Sequence, residues 1–183
     1  MWLQAALFFC YTGLEVTLGQ WSYTVLHEAR GVPAVTAGLW VSLYWGGIAA
    51  GRFVLGVAVE RVGADRLLRL CTLGALGGTV LFVAGPVQAS LPGLMLAGLA
   101  LAPVFPTLIA RGPERVGATV AAHAIGFKVA AGMLGSAAVP ALAGAAVGRA
   151  GLGAVGWVAL LAAVLLVALH DCLLALSPCA AAS

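Results

Sequence analysis

Glu15, Arg52, His123 and Lys128 stand inside long apolar runs of the sequence, where an ionisable side chain is out of place. Glu15 falls near the middle of the first run. Arg52 lies in the second, on the Glu60 side of its middle, and His123 and Lys128 lie in the fifth. A charge at mid-bilayer costs roughly 3 kcal/mol on insertion scales. Such groups therefore turn toward a bundle interior or a water-filled cavity and find a partner, and several in one small bundle point to a polar pathway. Glu15 and Lys128 are candidate partners. Arg52 is placed either to snorkel toward the nearer surface or to form an ion pair, and the plainer role for His123 is a hydrogen bond to a neighbouring helix. Burial disfavours the charged form of a carboxyl group, so Glu15 is a candidate proton carrier.

Other polar and aromatic residues gather around these. Tyr11, Glu15, Leu18 and Ser22 share one helix face, with Gln20 and Trp21 beside it. Trp40, Ser42, Tyr44 and Trp45 cluster ahead of Gly46-Gly47 in the second run. Aromatic rings with a polar tip suit the apolar faces and hydroxyls of a sugar-like solute. An interfacial aromatic belt is the competing role, and it fits Trp40 better than Tyr44 or Trp45.

The elements that must position these residues follow from composition. Of 183 residues, 63% are hydrophobic and 8% charged, and the mean hydropathy is +1.10. A soluble domain carries roughly 25% charged residues, so this chain has too little polar surface to cover a globule in water. A helix needs about 20 mainly apolar residues to cross a bilayer, and unpaired backbone groups are excluded there. Six runs qualify, at about 2–26, 35–59, 67–87, 91–110, 118–147 and 152–176. Polar turns separate them: His27–Gly31, Glu60–Arg66, Gln88-Ala89-Ser90, Arg111–Arg115 and Gly148–Gly151. The expected fold is an all-α integral membrane bundle of six transmembrane helices over residues 1–176, followed by a short tail at 177–183. The first run begins close to Met1 without a basic lead and exceeds a signal-peptide core, which predicts a retained helix. Pro103 and Pro106 predict a kink in the fourth helix and Pro140 one in the fifth.

An even number of crossings puts both termini on one side, together with the second and fourth turns. Arg61, Arg66, Arg69, Arg111 and Arg115 fall at that end, against Arg30 and Arg149 at the other. Positive charge favours the cytoplasm, so the chain is expected in the cell membrane, multi-pass, with both termini cytoplasmic. Glu60-Arg61-Val62-Gly63-Ala64 recurs as Glu114-Arg115-Val116-Gly117-Ala118, a match better explained by shared turn chemistry than by duplication.

Taken in order, these residues resemble a known family. Tyr11-Thr12-Gly13-Leu14-Glu15 followed by Gly19-Gln20-Trp21 is similar to the opening helix of the C-terminal half in fucose-permease-like members of the major facilitator superfamily. Tyr44-Trp45-Gly46-Gly47 with Gly51-Arg52 resembles the next helix. Gly56, Glu60, Arg61 and Gly63 resemble the superfamily's cytoplasmic signature, with Glu60 in place of the usual Asp and Ala64-Asp65 in place of a basic pair. Ala102–Thr107 resembles the tenth helix of the full-length family and His123–Phe127 the eleventh. The resemblance spans roughly residues 11–150 and implies one six-helix half of a twelve-helix symporter, its solute site lying between halves near mid-membrane. On that basis Tyr11, Glu15, Gln20, Trp21, Tyr44, Trp45, His123, Phe127 and Lys128 are the expected solute-binding set, and Arg52, Gly56, Glu60, Arg61 and Gly63 the gating set. The implied solute is small, such as a sugar, and the coupling is to protons. The implied partners are the lipid bilayer and a second six-helix half, either another copy or a separate chain.

Other classes find less support. A net charge of +3 without a basic, aromatic-interleaved patch argues against nucleic acid. Cys10, Cys71, Cys172 and Cys179 form no C-x-x-C pair and read as packing residues, so neither metal nor cofactor is expected. Aquaporin, P-loop and His-Glu-x-x-His motifs are absent. A non-transporting truncated fragment or membrane interaction subunit is the alternative, favoured by the abrupt start of the first helix. An intramembrane serine protease using Ser136 and His170 is a distant third, because His170 lies near the cytoplasmic end of its helix and Ser136 nearer the opposite side, and no enzymatic activity is expected.

Overall fold

The computed structural model describes residues 2–110 and 118–176, without the side chains of 54–60 and 118–122. The described residues are helical and contain no strand. Helix α1 covers Trp2–Thr24 and runs into a π-helical turn at Val25–Ala29; α2 covers Ala34–Val62, α3 Ala64–Ala84, α4 Val87–Leu101 and α5 Val104–Ala110. After the undescribed connection, α6 covers Ala118–Ala150 and α7 Gly153–Ala175.

Glycine and proline set the breaks. Gly31, Gly63 and Gly151 each have positive φ, at 69°, 84° and 73°, which side chains rarely tolerate and which turns the chain back within one to four residues. Gly63 alone separates α2 from α3. The third break falls at Gly85-Pro86, because Pro86 cannot donate to the preceding turn. Gln88-Ala89-Ser90, read from the sequence as that turn, instead lies in the opening turns of α4. Ala102-Pro103 interrupts the fourth apolar run and splits it into α4 and α5, whereas Pro140 sits inside an unbroken α6.

Four stretches are long and apolar enough to cross a membrane among the described residues: Ala64–Ala84, Val87–Ala110, His123–Ala150 and Gly153–Ala175. The chain thus has the build of an all-α, membrane-embedded protein. Helix α1 has sufficient length but carries Gln4, Glu15 and Gln20, which dilute its apolar content. Large apolar side chains face outward, among them Trp2, Phe53, Leu70, Met133, Leu142, Trp157 and Leu161. A bundle that exposes such residues on many faces has its apolar solvent outside.

Inside, α1 is the central strut, packing most extensively on α6 and then on α7; α3 packs on α4 and α7, and α2 on α4. Leu7, Phe8, Tyr11, Leu14 and Leu18 of α1 meet Leu94 and Leu101 of α4 and Ala159 and Leu166 of α7 in the core. Close approach depends on glycine. A Cβ on Gly135 would sit 2.1 Å from the Phe9 carbonyl oxygen, and one on Gly78 would sit 2.5 Å from the Ala97 nitrogen. Small residues thus let backbones touch where burial of apolar area from water supplies no drive.

The connections at residues 30–33, 85–86 and 151–152 lie at one end of the bundle. There Arg30 donates to Ser90 Oγ at 2.6 Å and to the Val83 carbonyl at 2.8 Å. At the other end Arg69 of α3 pairs with Asp171 of α7 at 3.2 Å, and Trp2 meets Phe127 edge-on at 4.9 Å between centroids.

Candidate functional site

Glu15 is the centre of a buried polar cluster. It is 8% exposed on α1, one helical turn after Tyr11, which is 1% exposed. The i, i+4 spacing stacks the two side chains, and the Tyr11 hydroxyl donates to Glu15 Oε2. The other carboxylate oxygen, Oε1, lies 3.6 Å from a terminal nitrogen of Arg52 on α2. The fully buried Tyr44 donates its hydroxyl to the main-chain carbonyl of Glu15 at 2.9 Å. Three side chains from two helices thus converge on one residue.

Helix α2 reaches this position because glycines clear its path. A Cβ on Gly19 would lie 2.1 Å from the Trp45 ring, so Trp45 packs on bare α1 backbone. A Cβ on Gly98 would lie 3.0 Å from the Tyr44 carbonyl, and one on Gly51 would lie 2.6 Å from the Ala102 Cβ. Helix α2 is therefore held between α1 and α4, with Tyr44 and Arg52 turned to Glu15. The Arg52 side chain remains 48% exposed while that of Glu15 is 10% exposed. The pair joins an interior carboxylate to a guanidinium at the bundle surface. It is formally neutral with both groups ionised, and a proton on Glu15 would leave one uncompensated positive charge.

A second polar feature lies further along α1. A cleft of about 500 Å³ between α1 and α6 is lined by Gln20, Trp21, Thr24, Ser136, Ala137, Pro140 and Ala141. Trp21 Nε1 donates to the Pro140 carbonyl at 3.1 Å, and the ring covers Gly144, whose Cβ would lie 3.1 Å from Trp21 Cζ2. Pro140 lacks the N–H that would meet the Ser136 carbonyl one turn earlier, so the cleft wall carries a backbone acceptor as well as hydroxyl and amide groups. No lining residue is charged.

The structure thus groups Tyr11, Glu15, Tyr44 and Arg52, sets Trp45 against the same stretch of α1, and puts Gln20 and Trp21 in the adjoining cleft. Glu15 pairs with Arg52, and Lys128, which the sequence offered as a candidate partner, is 1% exposed on α6. His123 and Phe127 are exposed on α6, and Phe127 packs on Trp2, about 20 Å along α1 from Glu15 at the helical rise per residue. They belong to the bundle end and not to the Glu15 cluster. Trp40 is partly buried against the core, and Ser42 bonds back to the Gly38 carbonyl at 3.0 Å. Arg61 is exposed and Gly63 forms the α2–α3 turn; Gly56 and Glu60 lie within α2, outside the described side chains. The repeat at Glu114–Gly117, the turn at Arg111–Arg115 and the 177–183 tail lie outside the described residues.

Sequence reasoning passed over two contacts. Thr12 donates across to the Gly132 carbonyl of α6 at 2.6 Å, and Arg30 ties the α1–α2 connection to the two sides of the α3–α4 break. A lone arginine in a short turn was the available signal for the second; nothing local signals the first. Ser136 Oγ donates to the Met133 carbonyl of its own helix at 2.8 Å, and His170 is buried in α7. No group of three or more His, Cys, Asp or Glu side chains suited to a metal ion occurs among the described residues.

Comparison of the chain with known protein families, with characterised proteins and with solved structures finds no match.

Proposed function

We propose that this chain is one six-helix half of a secondary active transporter of the major facilitator type, moving a small solute such as a sugar in symport with protons. The observation that carries the reading is the burial of Glu15 against Tyr11, Tyr44 and Arg52 inside a mainly apolar helical bundle. An ionisable group at such a position is costly and marks a substrate, ion or proton path by default. Protonation removes the attraction that holds Arg52 to α1, so proton uptake would loosen α2 from α1 at their contact. That coupling converts a chemical event into a helix movement. The uncharged cleft along the same helix offers amide and hydroxyl groups beside an indole ring, a surface matched to a neutral polyhydroxylated solute.

In this reading α1 and α2 also cross the bilayer. Helix α1 has 23 residues, about 35 Å at the helical rise, against a hydrocarbon thickness of about 30 Å. Its polar residues are tolerated because they face α2 and α6. Both termini then lie on the cytoplasmic side, where the arginine-rich turns fall. A second six-helix half, another copy or a separate chain, would complete the cavity, and rocking of the two halves would give alternating access.

The test is pH-gradient-driven uptake of labelled sugars into vesicles holding this chain alone or together with a candidate second half. Transport in either arm whose pH dependence flattens on Glu15→Gln supports the proposal. Uptake with an unchanged pH profile in that variant rules out Glu15 as proton carrier, and no uptake in either arm rules out the transporter reading.

A further inference from the structure

At the end of the bundle opposite the Arg69–Asp171 pair, a cavity of about 190 Å³ opens between the π-helical turn, the last turn of α3 and the first turn of α7. Val25, Ala29, Arg30, Phe82, Val83, Leu152, Gly153 and Gly156 line it. Arg30 is the one charged residue in that lining. Its guanidinium is partly buried, lies 5.4 Å from the centroid of the Phe82 ring, and spends one N–H on Ser90 Oγ and one on the Val83 carbonyl. A guanidinium has five such donors in a planar fork that matches an oxyanion. No carboxylate lies within ion-pair distance of Arg30 among the described residues, and burial holds its pKa below the ordinary arginine value. Dipoles and a ring face stabilise this cation, but no negative charge among the described residues does.

The surroundings add positive potential. Leu152 caps α7 without a side-chain hydrogen bond, and although the Ala154 and Val155 amides donate to the Gly151 and Leu152 carbonyls, the positive end of the dipole of that 23-residue helix lies beside Arg30. Gly153 leaves its part of the wall bare, with nothing within 4 Å of a Cβ built there, while Gly156 lets Val83 of α3 pack against the α7 backbone, where a Cβ would lie 2.6 Å from Val83 Cγ1. The remaining walls are apolar. Trp157, one residue beyond Gly156, is 74% exposed, as aromatic side chains at a membrane–water boundary are. The cavity therefore lies at the end of the membrane-crossing stretches, with a cation at its polar edge and apolar walls beside it.

We propose that the Arg30 cavity binds a phosphate oxyanion at the membrane surface, held by the Arg30 guanidinium against the N-terminal end of α7. The phosphodiester of a phospholipid headgroup and free inorganic phosphate share this chemistry. The inference needs the chain to be membrane-embedded but does not depend on transport.

The experiment uses the full chain purified in a neutral detergent, measuring thermal unfolding and, by native mass spectrometry, retained adducts. Phosphatidylglycerol, a diacylglycerol without phosphate and inorganic phosphate are added in separate arms. Phosphatidylglycerol is expected to raise Tm and persist as an adduct while the diacylglycerol does neither. A rise of the same size with inorganic phosphate alone identifies the free ion as the ligand. Arg30→Gln should weaken apparent affinity at least about tenfold, the loss expected for one charge-assisted contact. Gly153→Leu, which adds bulk at a lining position where nothing lies within 4 Å of the new Cβ, should weaken it comparably and leave the ligand-free Tm near that of the parent. If Arg30→Gln does not fold, the Gly153→Leu result decides. Equal effects of phosphatidylglycerol and diacylglycerol with no response to inorganic phosphate, or undiminished binding in Gly153→Leu, overturn the proposal.

Discussion

Gly135→Ala tests the α1–α6 crossing, the most extensive packing made by the helix that carries Glu15. The new Cβ would sit 2.1 Å from the Phe9 carbonyl oxygen and 2.8 Å from its carbon, and both are backbone atoms that cannot rotate away. Ordinary contact begins near 3.4 Å, so the helices must part by about 1.3 Å (3.4 − 2.1). Thr12 Oγ1 to the Gly132 carbonyl, one turn along the same face, is 2.6 Å and would stretch to about 3.9 Å, beyond hydrogen-bonding range. An interhelical hydrogen bond in a membrane protein contributes about 0.6 kcal/mol, and overpacking costs about 1–3 kcal/mol. The expected destabilisation is therefore about 2–3 kcal/mol. Gly126→Ala is the matched control, on the same helix with nothing within 4 Å of its Cβ, and should lie within about 0.5 kcal/mol of the parent. Reversible unfolding in mixed micelles, driven by sodium dodecyl sulfate and followed by circular dichroism, measures both. Equal stabilities would mean that the two backbones do not touch at Gly135, and the packing described for α1 would be wrong.

Three further outcomes are expected. Tyr44→Phe removes the 2.9 Å bond to the Glu15 carbonyl while keeping the ring, and should cost about 1 kcal/mol in the same assay; no change would show that the bond does not contribute. A double-mutant cycle of Glu15→Ala and Arg52→Ala should return a coupling of about 1 kcal/mol or less, because Arg52 is half exposed and the separation is 3.6 Å, and zero coupling would remove the ion pair from the site. In a background with Cys10, Cys71, Cys172 and Cys179 replaced, single cysteines at Glu28 and Arg149 should react with an impermeant reagent from one side of the membrane and a cysteine at Arg61 from the other; labelling of all three from one side would refute six crossings.

The site was only partly legible in the sequence. The Tyr11–Glu15 pair is written in i, i+4 spacing, which any helix honours, and the burial of Glu15 follows from its place in an apolar run. The partner is different. Lys128 and Arg52 were both basic residues within apolar runs, and nothing along the chain ranks one above the other as the neighbour of Glu15. The choice depends on how close α2 comes to α1, and that rests on Gly19 under Trp45 and on Gly51 and Gly98 letting α4 support α2 from behind. His123 and Phe127 lie in an apolar run of the same kind as Glu15, yet the α1–α6 register puts Phe127 beside Trp2.

The sequence by itself determined the all-helical architecture, because long apolar stretches with few charges leave a backbone no other way to satisfy its hydrogen bonds away from water. It also determined most breaks, since Gly31, Gly63 and Gly151 accept a left-handed turn that other residues resist. Only the tertiary structure decided that the third break falls at Gly85-Pro86, that Thr12 and Trp21 fasten α1 to α6, and that Arg30 ties its own connection to the α3–α4 break. Those features involve residues up to 120 positions apart. Their pairing depends on the rotation and separation of whole helices, quantities fixed by packing and not by any local run of residues.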